Sequence, residues 1–287
     1  IKELTRCLDL INKQTFSDYE ILIIDQNSSL PGIDELVSKY PKAEYNKFKK
    51  NLGPCIARNF ASKKAKGEFI LFLDDDAFIF DENILKSVIE IAEKNNYGQI
   101  GCQSFADEDK KNIHYSQCVI DDDGFLNKEK SKDINLNLEN ERVIIETSFC
   151  LMKKDVFFEV GGFDPAYFFY DEDTDLSLRV QAAGYKNFCS RDLKYIHVSG
   201  SRIRSANSRY FNKNYLVYKN FGALIFTKNL LKNVASIMSK PTLPNYLDQS
   251  KKIKFQINLI KNNKNIVLRK KMNFLESYDD YEEKNRK

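Results

Sequence analysis

Tryptophan is absent from this chain of 287 residues, and histidine occurs only twice. No run of 18 apolar residues is present, so nothing in the sequence has the length of a membrane-spanning helix. The opening residues do not read as a signal peptide. They begin at Ile1, without Met, directly in a helical pattern, which leads us to expect sequence upstream. Six cysteines, at 7, 55, 102, 118, 150 and 189, include no Cys-x-x-Cys pair. With two histidines, that scatter argues against a zinc site or a disulfide framework and for reduced thiols in a cytosol. What is present is globular in composition, 42% apolar and 30% charged, and long enough to bury a substantial core. The net charge of +4 hides an asymmetry. Residues 228–287 carry 14 Lys/Arg against 6 Asp/Glu, while residues 1–227 carry 31 against 35. A basic tail on a slightly acidic body suits an anionic membrane surface ahead of nucleic acid, or is simply solvated.

The most informative stretch is Glu68-Phe69-Ile70-Leu71-Phe72-Leu73-Asp74-Asp75-Asp76. Five consecutive apolar residues after Gly67 read as a strand buried on both faces. Three adjacent acids cannot stay in a core, so the strand surfaces where they begin. In an open α/β sheet, ligands bind beyond the carboxyl ends of the strands. Hard carboxylate oxygens there suit Mg²⁺ or Mn²⁺ and, through it, a diphosphate. The same residues read equally well as a polar turn capping a helix.

Upstream, residues 2–13 form an amphipathic helix, and 20–24 a second apolar strand ending in Asp25-Gln26-Asn27-Ser28-Ser29. Residues 33–40 read as a helix and 44–48 as a strand. A further helix opens at Pro54, with Ile56, Ala57, Phe60 and Ala61 as its buried stripe and Lys63, Lys64 and Lys66 exposed. Strand and helix alternating in this way predict a parallel sheet with helices on its faces. Downstream come a helix over 82–94, a strand over 99–102, and strand character over 143–152, 186–190 and 194–198. Asp121-Asp122-Asp123-Gly124 repeats the acidic triplet, but Asp-Gly between short apolar runs marks a hairpin turn. Residues 128–141 form a polar loop, and Tyr210 to Met238 a long aromatic-rich helix.

The second informative stretch is Val160-Gly161-Gly162-Phe163-Asp164-Pro165-Ala166-Tyr167-Phe168-Phe169-Tyr170-Asp171-Glu172-Asp173-Thr174-Asp175. The glycines allow backbone to approach a ligand, and the aromatics offer flat surface of the kind that stacks on sugar rings. Glu172, Asp173 and Asp175 open a helix closed by Gly184, where the dipole favours ionised acids able to accept a proton. Ordinary capping explains them as well. A lone His197 near the end of its strand reads more readily as packing than as a ligand.

Taken in order, Ile-Ile-Asp-Gln-Asn-Ser-Ser at 23–29, Gly-Pro-Cys-Ile-Ala-Arg-Asn at 53–59, Phe-Leu-Asp-Asp-Asp at 72–76, Gly-Gly-Phe-Asp at 161–164 and Glu-Asp-Thr-Asp-Leu-Ser-Leu-Arg at 172–179 resemble glycosyltransferase family 2. The likeness is to its bacterial rhamnosyltransferase-like, polysaccharide-building branch, and it covers roughly residues 1–225. The resemblance implies an α/β GT-A fold with a mostly parallel central sheet, helices on both faces and a helical C-terminal extension. It implies a catalytic domain over 1–205, with a nucleotide half at 1–105 and an acceptor half at 106–205, followed by the basic extension 206–287. By the same resemblance Asp25, with Asn27, contacts the nucleobase side of the donor, and Arg58 helps hold the nucleotide. Asp74 and Asp75 lie near the ribose and sugar, while Asp76, with Asp74 and His197, binds Mn²⁺ or Mg²⁺. Asp173, paired with Glu172, is the general base.

The implied reaction is inverting transfer from a UDP- or dTDP-sugar to a glycan or polyprenyl-linked saccharide, at the cytoplasmic face of the plasma membrane. The family begins with a strand carrying a Pro-Thr-Tyr-Asn-like sequence in the middle of its sheet. This chain starts after it, so a gap in the sheet is expected, with turnover tied to that strand. A sugar nucleotidyltransferase shares the layered architecture, but residues 1–60 hold no Gly-rich basic loop of that class. A non-catalytic membrane-surface module on a degenerate transferase fold is the third reading, motivated by the gap and the basic tail.

Overall fold

The computed structural model describes residues 1–106, 117–122, 125, 127, 141–198, 206–239, 254, 257, 274 and 275. Helix α1 spans Lys2–Asn12 and buries Cys7, Leu8 and Ile11. Strand β1 (Ile21–Asp25), helix α2 (Ile33–Val37), strand β2 (Ala43–Lys47) and helix α3 (Pro54–Lys64) follow. Then come β3 (Phe69–Leu73), β4 (Ala77–Phe78), α4 (Ile84–Lys94), β5 (Tyr97–Phe105), β6 (Gln117–Ile120), β7 (Arg142–Ile145) and β8 (Phe149–Lys153). The chain continues through α5 (Lys154–Glu159), α6 (Glu172–Ala182), β9 (Lys186–His197) and the long α7 (Ala206–Ser239).

Five strands form one sheet in the order β3-β8-β5-β9-β4. Its pairings are mixed: β5 and β9 run parallel, whereas β8 is antiparallel to both neighbours and β4 is antiparallel to β9. The expected preponderance of parallel strands therefore holds for β1–β2 and β5–β9 only. A helix crossover returns the chain in the same direction, but β8 follows β7 through a short turn at 146–148, which alternation of strands and helices does not reveal. β1 and β2 pair with each other alone among the described residues, and neither joins β3, so the expected break in the sheet is present.

β3 is packed on both faces, though only Ile70 and Phe72 on one of them are fully buried and Phe69, Leu71 and Leu73 on the other are half-buried. Ile70 and Phe72 enter one cluster with Phe157, Phe163, Leu176 and Val180, while Phe69, Leu71 and Leu73 pack on the other, with Ile84, Val88 and Ile100. The alternation follows from the two-residue period of a strand. Helices α1 and α4 thus cover one face and α5, α6 and α7 the other.

Other expectations are refined. The two short strands at 186–190 and 194–198 are one strand with an irregularity opposite Cys102 and Gln103. Strand character over 143–152 resolves into β7 and β8. In α3 the most buried side chains are Cys55, Ala57, Asn59 and Ser62, with Ile56, Phe60 and Ala61 only half-buried. A reversal does follow β6, where Asp121 N–H bonds the Phe125 carbonyl and Asn127 N–H that of Val119. Its centre, Asp123-Gly124, lies outside the described residues, as do the polar loop over 128–140, Ser199 to Ser201 and most of the basic tail.

Gly161 and Gly162 do not open onto a ligand. Both have positive φ, at 82° and 73°. A Cβ on Gly162 would come within 2.8 Å of Asn59 Oδ1 and 2.9 Å of Leu275. The Asn59 amide is fully buried, donates to the carbonyls of Phe163 and Phe274, and accepts the Phe163 N–H. Phe274 N–H in turn bonds the Gly161 carbonyl at 2.7 Å. The glycines admit the chain's own C-terminal residues 274 and 275. All six cysteines are free thiols.

Candidate active site

Asp74 to Asp76 form the turn that leaves β3. Asp74 N–H bonds the Ser148 carbonyl, and Ala77 N–H bonds back to the Asp74 carbonyl. The chain then pairs with the end of β9 in a register that sets Ala77 opposite His197, and Val198 N–H bonds the Asp76 carbonyl. That pairing brings His197 Nε2 to 3.3 Å from Asp76 Oδ1 and 3.9 Å from Asp74 Oδ2. One ligand atom from each of Asp74, Asp76 and His197 lies within 4.8 Å of the others. Two carboxylates and an imidazole fit a small divalent cation such as Mn²⁺ or Mg²⁺. Burial works against the charged form of His197, but its hydrogen bond to Asp76 and the charges of Asp76, Asp74 and Glu146 win, and its pKa is raised. Asp75 sits at the exposed tip of the turn.

The second acidic set opens α6. Glu172 is buried, and Asp173, half-buried, accepts the N–H of Thr174 at 2.7 Å. Burial pushes the Asp173 carboxyl well above its ordinary value, and the charges of Glu172, Glu146 and Asp171 push it further. This overturns the expectation that the helix start keeps it ionised. A helix terminus contributes only about 0.3–1 kcal/mol at an exposed site, too little against burial and three like charges.

Arg58, carried on α3, joins the two sets: its guanidinium lies 2.9 Å from Asp74 Oδ1 and 3.5 Å from Glu172 Oε1. Burial lifts Glu172 as well, with Arg58 pulling the other way. Asp25 ends β1, where its carboxylate accepts Ser28 N–H and Tyr45 O–H, both at 2.6 Å, with Lys47 at 3.7 Å. The next residue, Gln26, accepts Leu52 N–H at the entrance to α3. Asn27 is exposed, with φ of 65°. Of the aromatics before α6, Phe163 and Tyr167 are core, while Phe168 and Phe169 are exposed.

Three features were not singled out from the sequence. Glu146, in the turn before β8, acts electrostatically on both His197 and Asp173. Lys219 of α7 is fully buried, 3.0 Å from Asp164 Oδ2 and 2.8 Å from Asp175 Oδ1. Asn212, also on α7, donates to the carbonyls of Phe169 and Tyr170. A buried Lys in an otherwise apolar helix stripe, 44 residues from its partner, is the one signal that could have been pursued. Asp175 also binds Arg179 Nε at 2.9 Å.

The mixed α/β sheet with helices on both faces is a GT-A fold. Solved structures share the fold: S. aureus TarS 1-349, with a TM-score of 0.58 at 14% identity, covering 97% of this chain and 88% of that one; and GalNAc-T7 with UDP, GalNAc and Mn²⁺, also 0.58 at 18% identity, covering 75% and 45%. Residues 1–161 match the family described as Glycosyl transferase family 2, and the chain belongs to that family. It is 24% identical over 207 residues to the O-antigen biosynthesis protein RfbC of Myxococcus xanthus, covering 68% of this chain. The chain spans only 16% of that relative's length. Among the described residues, no helix is long and apolar enough to cross a membrane.

Proposed function

We propose that this chain transfers a sugar, with inversion, from a UDP- or dTDP-linked donor to a hydroxyl of a glycan or lipid-linked saccharide. The observation that supports the reading is Arg58, whose one guanidinium reaches both Asp74 of the acid–His cluster and Glu172 of the second acid pair. Asp74, Asp76 and His197 would hold the divalent cation. When bound, that ion neutralises charge on the departing diphosphate. Asp25 and Asn27 receive the nucleobase end, and Asp74 and Asp75 the ribose and sugar. Arg58 lends positive charge beside the phosphates and restrains Glu172.

Asp173 takes the proton of the acceptor hydroxyl as its oxygen attacks the anomeric carbon. The bond from that carbon to the diphosphate oxygen breaks, and the new bond forms on the opposite face. A raised pKa makes Asp173 a stronger base once ionised, which suits this role. Residues 1–205 would form the catalytic domain and 206–287 a helical, basic extension, whose residues 228–287 we assign to the cytoplasmic surface of the plasma membrane.

The test uses the full-length protein with Mn²⁺ and a panel of UDP-, dTDP- and GDP-sugars, following nucleoside diphosphate release and donor binding. Asp76→Ala is expected to lose metal-dependent donor binding. Asp173→Asn is expected to keep binding and lose transfer. Release of pyrophosphate from a nucleoside triphosphate and a sugar phosphate would indicate a nucleotidyltransferase instead.

A further inference from the structure

The two residues immediately before Glu172-Asp173 are held in an unusual backbone conformation. Tyr170 and Asp171 have φ of 75° and 63°. For residues with a Cβ this left-handed region costs free energy comparable to one or two hydrogen bonds, and it persists only where surroundings enforce it. Consecutive residues of this kind at the start of α6 fix where that helix begins, and with it where the Asp173 carboxylate points.

The enforcing contacts come from α7. The side-chain amide of Asn212 donates to two successive carbonyls, 2.6 Å to Phe169 and 2.9 Å to Tyr170. The next residue, Lys213, lies 3.8 Å from the Asp171 carboxylate. Farther along the same helix, Lys219 and Asn220 hold Asp175 one turn into α6, with the Asn220 amide 3.0 Å from Asp175 Oδ1. The start of α6 is therefore gripped at both ends of its first turn by one helix. Asn212 supplies the contact that acts on the strained backbone itself.

We propose that Asn212 is a positioning residue: its amide clamps the left-handed Tyr170–Asp171 turn and thereby sets where Asp173 stands at the start of α6. The inference rests on the reading of Asp173 as the proton acceptor, and it deepens that reading by assigning α7 a part in catalysis. If the clamp is released, the turn can relax toward ordinary backbone angles and displace the start of α6. A displacement of about 1 Å at a reacting group can cost up to a hundredfold in rate.

The experiment uses the full-length chain with Mn²⁺ and the donor sugar it turns over, and compares Asn212→Ala with Asn212→Asp, which keeps the shape but cannot donate. Both variants are expected to lower kcat by roughly tenfold or more with donor KM within about twofold of wild type. Amide hydrogen exchange over residues 169–174 is expected to quicken while the rest of the chain keeps its protection. Tyr170→Gly, which adopts positive φ freely, is expected to return most of the lost kcat in the Asn212→Ala background. A purely structural contact would instead lower protection throughout and gain nothing from the glycine.

Wild-type kcat in Asn212→Asp, or unchanged exchange at 169–174, overturns the clamp. Asp173→Asn separates the two claims. If that variant still transfers sugar, or if wild type turns over no donor, the reading of the site fails. If it is inactive while Asn212→Ala is not, only the positioning claim fails.

Discussion

Asp173 and Asp175 stand two residues apart in the first turn of one helix and are treated in opposite ways. At Asp173 burial and three neighbouring carboxylates outweigh the hydrogen bonds donated by Thr174, and its pKa is pushed well up. Asp175 is the more deeply buried of the two, but the charges of Arg179 and Lys219 and hydrogen bonds from Lys219 and Asn220 outweigh that burial and bring it down to about 2. The same helix terminus and the same residue type give a carboxyl whose pKa is pushed up at Asp173 and a carboxylate held ionised at Asp175. Counter-charge decides, and the helix dipole does not. Asp173 carries unfavourable electrostatics that Asp175 does not.

The contrast breaks most visibly at Asp173. Asp173→Asn is expected to reduce turnover by about 10²–10⁴-fold, the usual worth of a general base. Because the folded-state pKa of Asp173 is raised, its ionised form opposes folding at neutral pH, so the same variant is expected to raise Tm at pH 7. Steady-state kinetics and calorimetry on one preparation check both. A variant that loses activity and stability together would place Asp173 in the structural class with Asp175.

Lys219→Met probes the other side. It leaves Asp164 and Asp175 buried without that cation, and a loss of about 3–5 kcal/mol is expected on denaturant unfolding. An unchanged midpoint would mean that Arg179, Tyr215 and Asn220 suffice for the two acids. The smallest effect is in acid. Asp175 is depressed from 3.8 to about 2, so its contribution is complete above pH ~4 and lost as pH falls toward ~2, worth about 2 kcal/mol. Unfolding measured across that window should show this slope in wild type and lose it in Lys219→Met.

Much of this was legible beforehand, for reasons that name themselves. An apolar run of five ending in three acids has one physical outcome, a buried strand that surfaces at its end, and β3 does this. Acids ahead of Gly184 gave α6 nearly to the residue. Strand direction was not legible, because β8 is reached through a turn rather than a helix. The Gly161-Gly162 pair by itself suggests an approach to a ligand, since no local pattern announces that Leu275 comes back from more than a hundred residues away. Local pattern gives His197 as a lone strand histidine and only the family resemblance pairs it with Asp76; the register with Ala77 is what sets the two side by side. Asn212 and Lys219 were hidden in a helix whose aromatic pattern spoke only of packing.

The most direct test of the proposal that Asp173 is the base is the pH dependence of kcat/KM for the full-length protein with saturating Mn²⁺. A base must be ionised to accept a proton, so activity should rise with pH through an apparent pKa well above the 3.8 of an ordinary aspartate. Residual activity in Asp173→Asn should lack that limb. A rate that stays flat down to pH ~4, or a limb that survives in Asp173→Asn, would contradict the assignment.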